Sequence, residues 1–208
     1  MSQNCVEVQV TARSKVKAND DSSIRLFRSR RDWADWLKKE HRNSAGLWLR
    51  LAKKKSNVES VTYQEALDIA LCYGWIDGQK RPESEDFWLQ RFLPRSEKSL
   101  WSKINRAKAL TLIANGEMES AGMEAIEDAK ADGRWDAAYD SPSGATVPDD
   151  FQAALDSNPA AAAFFEGLDR ANRYAILWRL QTAKRAETRA HRIEQFIAML
   201  GRHEKIHP

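Results

Sequence analysis

The chain has 208 residues, 42% of them hydrophobic and 30% charged, with a net charge of +3. That composition is globular, and the length suffices for one large domain or two small ones with a proper core. No run approaches the roughly 18 consecutive apolar residues of a membrane span, and the two cysteines, Cys5 and Cys72, lie too far apart in context for a disulfide framework.

The first 23 residues are polar, apart from alternating Val6, Val8 and Val10, and read as a partly disordered tail. They lack the basic and apolar regions of a signal peptide, so a cytoplasmic location is expected. Ile24 to Phe27 reads as a short strand. Ser29 is placed to cap a helix over 30–41, with Trp33, Trp36 and Leu37 on one face. Leu47, Leu49 and Leu51 alternate with Trp48, Arg50 and Ala52, which is strand periodicity. Thr62-Tyr63-Gln64-Glu65 is a capping box opening a helix to about Tyr73, with Gly74 at its left-handed end. Ile76 to Gln79 turns or starts a strand that Arg81-Pro82 breaks, and Phe87 to Phe92 is a further strand ended by Pro94. Ser96 or Ser99 caps the next helix, which stops at Gly116, and another spans about 120–131.

Residues 140–147 hold Pro142 and Gly144 and mark a linker. Beyond it the pattern is helical throughout. Helices start at Pro148, Pro159 and Asp169, and a last one over about 186–201 carries the stripe Ile193, Phe196, Ile197, Leu200. The expected organisation is therefore a tail over 1–23, an α+β unit over 24–139, a linker over 140–147 and a helical subdomain over 148–208. The fold class is α+β, a small mixed sheet with helices, helix-rich overall.

Charge is unevenly spread. Between Glu117 and Asp169 thirteen acids face only Lys130 and Arg134, leaving the flanks basic. Aromatic and cationic residues crowd the stretch from Trp75 to Arg106. Arg91, Arg95, Lys103 and Arg106, walled by Trp75, Trp88 and Trp101 with Gln90 alongside, could converge on a small anion, since arginine offers a planar fork and lysine a point charge. Helix N-terminal amides near Ser99 would add to it. The alternative is that the cations pair with Glu83, Glu85, Asp86 and Glu97 at the surface. Asp77 between Trp75 and Gly78 is either a desolvated acid fit for proton transfer or an acceptor of turn hydrogen bonds.

Other chemistry finds little support. There is no Gly-x-Ser-x-Gly elbow, no glycine-rich nucleotide cradle, no histidine near Cys72 in sequence and no zinc spacing. His203 and His207 fall in what reads as a frayed, solvated end. Basic residues from Arg170 to Arg202 offer a surface for nucleic acid, but Glu187 and Glu194 interleave with them. Trp33 and Trp36 are either core or anchors for a protein partner.

Several ordered motifs carry a resemblance. Gly46-Leu47-Trp48-Leu49-Arg50-Leu51-Ala52-Lys53-Lys54, Tyr73-Gly74-Trp75-Ile76-Asp77-Gly78, Gln90-Arg91-Phe92-Leu93-Pro94-Arg95 and Trp101-Ser102-Lys103-Ile104-Asn105-Arg106 resemble the YdeI/OmpD-associated, or bacteriocin-protection, family. So do Asn172-Arg173-Tyr174, Ala183-Lys184-Arg185 and Glu187-Thr188-Arg189, so that the resemblance runs over about 25–208. It implies a link to bacteriocin or cationic-peptide tolerance and carries no residue-by-residue activity. The reading is thus a non-catalytic protein binding a small anion near Trp75, Asp77, Gln90, Arg91, Arg95, Trp101, Lys103 and Arg106, without cofactor, metal or membrane insertion. An enzyme using Asp77 with Arg91 and Lys103 is the alternative, followed by a nucleic-acid or protein-binding module on the basic helices.

Overall fold

A computed structural model of the chain describes residues 24–208. The tail over 1–23, with Cys5 and the valine alternation, lies outside the described residues. In chain order the elements are β1 (Ile24–Leu26), α1 (Arg30–Glu40), β2 (Leu47–Ala52), α2 (Tyr63–Cys72), β3 (Trp75–Pro82), β4 (Phe87–Pro94), α3 (Lys103–Ala114), α4 (Ser120–Ala131), α5 (Asp149–Asp156), α6 (Pro159–Glu166), α7 (Arg170–Gln181) and α8 (Ala186–Gly201). This is the expected α+β fold.

The four strands form one mixed sheet in the order β1-β2-β4-β3, with β1 parallel to β2 and the other pairs antiparallel. Period-2 alternation then sorts the side chains. Leu47, Leu49 and Leu51 point to one face and meet Phe92, the cross-strand partner of Leu47. On that face α1 and α2 pack through Trp33, Leu37, Ala66 and Leu67, and Trp75 completes the first core. Two tryptophans here spend their N–H groups on backbone: Trp33 Nε1 donates to Ala66 O at 3.0 Å and Trp75 Nε1 to His41 O at 3.1 Å. Trp33 is fully buried and Trp36 stacks on it at 5.3 Å. Trp33 therefore belongs to the core and cannot anchor a partner.

The capping box at α2 forms in full, with Thr62 Oγ1 accepting from Glu65 N and Thr62 N donating to Glu65 Oε2. Gly74, at φ +70°, ends that helix, and a Cβ there would lie 2.8 Å from Ala121 O. A Cβ at Gly122 would lie 2.4 Å from Cys72 O, so α4 crosses the end of α2 at a distance only glycine permits.

Arg81-Pro82 terminates β3 as expected, on an edge strand where the missing N–H of Pro82 costs no ladder bond. Two expectations change. Ser102, not Ser96 or Ser99, caps α3 by accepting from Asn105 N, while Ser96 and Ser99 close a turn on each other. The C-terminal residues are not frayed. The buried side chain of Asn172 accepts from Ile206 N and His207 N at 3.0 and 2.8 Å and donates to His207 O and Asp169 Oδ2. His203 stacks on Phe164.

Helices α5 to α8 enclose a second core of Phe151, Leu155, Phe165, Ile176, Leu180 and Leu200. The two cores are bridged at Asp140. Its carboxylate takes Lys103 Nζ at 2.7 Å and Gln181 Nε2 at 2.6 Å, and its carbonyl takes the Tyr174 hydroxyl at 2.9 Å. Removing the buried Asn172 amide strips the part-buried backbone groups of Ile206 and His207 of their partners, at a cost of about 1 kcal/mol or more for each bond lost. Asn172→Ala is expected to lower stability by about 2–4 kcal/mol in urea unfolding, whereas Gln152→Ala on the exposed side of α5 changes it by less than about 0.5 kcal/mol.

Candidate functional site

The largest hollow described lies where β2 runs out beside the start of α2. It holds about 720 Å³ and is walled by Leu51, Val58, Tyr63 and Trp88. Among the described residues, the tandem Lys53-Lys54 after β2 supplies its charged lining groups. The Tyr63 and Trp88 rings meet at 5.9 Å, and Lys80 Nζ sits 5.6 Å from the Trp88 ring centre. Tyr63 and Gln64, in the first turn of α2, also line this space, beside the capping box of Thr62 and Glu65. Positive side chains, the first turn of α2 and aromatic walls thus share one concavity. Such a place favours an anion carrying a flat apolar part.

Asp77 lies behind this groove, not in its lining. It accepts the Tyr63 hydroxyl at 2.7 Å, so its partner is a tyrosine and not the turn amides expected of Asp before Gly. Burial first, then this bond to Asp77, raises the Tyr63 pKa well above that of a free phenol. Tyr63 is therefore held as a hydrogen-bond donor at any physiological pH.

The other residues singled out in the sequence scatter. Alternation sends Arg91 to the sheet face opposite Phe92, where its guanidinium lies 5.7 Å from the Trp48 ring. Arg95 stacks on buried Trp101 at 3.6 Å and donates to Leu100 O. Burial pushes its pKa down to about 10, and Nε and Nη2 find no acceptor. Lys103 turns to Asp140, and Arg106 Nη1 donates to Trp135 O at 3.1 Å. Trp75 is in the first core. Gln90, only 3% exposed, donates Nε2 to Gly78 O and Gln79 O, satisfying the carbonyls that the irregular register between Asp77 and Lys80 takes out of the ladder. The structure thus brings Trp88 into the groove, ties Asp77 to it only through Tyr63, and leaves the four cations apart. The groove's own lysines and Tyr63 went unnoticed in the sequence. The signal that could have found them was a Lys-Lys pair at a strand end facing a capping box.

Several basic residues of α7, α8 and the residue after α8 are engaged within the protein. Arg189 engages Asp150 and Leu180 O, Arg192 donates to Arg179 O, Arg173 donates to Phe165 O, and Arg202 pairs with Glu204. Several of these cover the carbonyls at the end of α7, as helix-terminal cations do. Among the described residues no group of three or more His, Cys, Asp or Glu could hold a metal, and no helix is long and apolar enough to cross a membrane.

The chain is thus an α+β protein with a basic, aromatic-walled groove beside its sheet and an all-helical C-terminal part. Residues 144–203 match the family described as Bacteriocin-protection, YdeI or OmpD-Associated. Residues 25–125, which carry the sheet and the groove, match a domain of unknown function, DUF8412. Neither a curated protein nor a solved structure matches the chain.

All four tyrosines of the chain, Tyr63, Tyr73, Tyr139 and Tyr174, have their pKa raised chiefly by burial, Tyr174 to about 12. A folded pKa above the unfolded value of about 10 means that stability is intact below about pH 10 and falls as pH rises past it. Tyrosinate absorbance in the native protein is accordingly expected to stay flat through about pH 10 and then to rise together with loss of the helical circular dichroism.

Proposed function

We propose that the protein is a non-catalytic binding protein whose site is the groove between Tyr63 and Trp88. Its ligand is a small anion with a flat apolar portion. The observation that carries this reading is the meeting of Lys53, Lys54 and the first turn of α2 with two aromatic rings in one hollow of about 720 Å³. The ring stacks on Trp88 or Tyr63, and the anionic end sits toward the lysines and the first turn of α2. The Tyr63–Asp77 bond holds the aromatic wall in place, a supporting role that suits binding better than turnover. In the cell, such a ligand-binding step would serve the bacteriocin protection for which the matched family is named.

Thermal-shift and calorimetric titration with phenyl phosphate and benzoate, against benzyl alcohol as the neutral control, tests this. A ligand bound to the native state raises Tm by mass action. Phenyl phosphate is expected to raise Tm and benzyl alcohol to leave it unchanged, with Trp88→Ala or the pair Lys53→Gln, Lys54→Gln weakening binding by about tenfold or more. Absence of any shift, or a shift that survives these substitutions, would discard the groove as the site.

A further inference from the structure

A second hollow, of about 480 Å³, opens between the turn after β4 and the C-terminal end of α4. Arg95, Ser96 and Glu97 line it from the turn, and Asp128, Asp132 and Arg134 from the helix end and the residues just after it. None of these residues lines the groove beside Trp88.

Both arginines have donors to spare. Arg134 is only 7% exposed. Its Nε donates to Asp132 Oδ2 at 2.6 Å and its Nη1 to Ser99 O at 3.0 Å, and its Nη2 has no acceptor among the described residues. Arg95 gives Nη1 to Leu100 O, while Nε and Nη2, shut off from solvent, have no acceptor. The acid that acts on Arg95 is Asp77, whose bond goes to the Tyr63 hydroxyl. Buried charges are normally paired and their donors filled. The two cations behind this hollow are therefore only partly matched.

The acids are arranged the other way. Asp132 is matched by Arg134. Glu97 and Asp128 are exposed, and neither pairs with a cation among the described residues. The hollow thus has a cationic floor and an anionic rim. A plain anion drawn to the floor is opposed by the rim, and a plain cation drawn to the rim is opposed by the floor. A molecule carrying both charges satisfies both.

We infer that this hollow binds a small aminocarboxylate zwitterion, its carboxylate toward Arg134 and Arg95 and its ammonium toward Glu97 and Asp128. The volume suits a ligand of about amino-acid size. Arg134 Nη2 bonds the carboxylate directly, and Arg95 contributes its charge from beneath, where little water screens it.

Calorimetric titration of the full chain with glycine, γ-aminobutyrate and ε-aminocaproate tests this. Acetate, butyrate and caproate serve as the carboxylate alone, and hexylamine as the cation alone. At least one zwitterion is expected to bind saturably, about tenfold or more tighter than its parent acid and than hexylamine. Arg134→Gln weakens that binding by about tenfold or more. Because that substitution also removes internal bonds, Glu97→Gln with Asp128→Asn, both at exposed positions, gives a second reading. It leaves the fold intact and brings the zwitterion down to the affinity of its parent acid. Trp88→Ala, in the groove, leaves the titration unaltered. Failure of all three zwitterions to bind, equal binding of the parent acids, binding that survives the rim substitutions, or binding lost with Trp88→Ala overturns the inference.

Discussion

Trp33 is the residue around which the N-terminal half is assembled. Its indole is fully buried, touches Phe27, Trp36, Trp75 and Phe92, and donates to Ala66 O. One side chain thereby joins α1, α2, β3 and β4. An aromatic of this kind contributes several kcal/mol through burial, and the hydrogen bond to α2 fixes which ring edge faces which helix. With α1 and α2 held, the start of α2 has to lie beside the end of β2. That placement brings Tyr63 to Trp88 and creates the groove.

The same packing explains the outer face. All four helices that follow the early strands in the N-terminal half are gathered on the Leu47–Leu49–Leu51 side, and α5 to α8 form a core of their own. On the other side of the sheet the guanidiniums of Arg81 and Arg91 lie over the Trp48 ring. Between the two cores Asp140 receives a lysine from α3, an amide from α7 and a phenol from α7, so a single residue near the middle of the acidic stretch ties the halves together.

Element positions were legible in the sequence where a local rule operates. The Thr62–Glu65 capping box, the Asp169 cap and the α8 stripe depend on residues within one or two turns, and each stands where periodicity put it. The cation cluster was not legible because convergence depends on strand register and helix start. One step along β4 turns Arg91 from Phe92 to the other face, and a cap at Ser102 instead of Ser99 aims Lys103 at Asp140. Gln90 could be placed in a polar region from its neighbours, but not seen as the staple of an irregular strand, since its partners lie eleven and twelve residues away across a turn. Asn172 and its tail partners, some thirty-five residues apart, lie beyond any local pattern.

That last separation bears on how the chain is made. Synthesis releases the polypeptide from its N-terminal end, and domains fold as units as they emerge. The first core is complete in sequence at Ala138 and can close early. The second has its apolar residues by Leu200, yet the polar centre of α7 receives its backbone partners only from Ile206 and His207. The helical half thus stays unlocked until the segment carrying Ile206 and His207 has emerged, long after the first core can close.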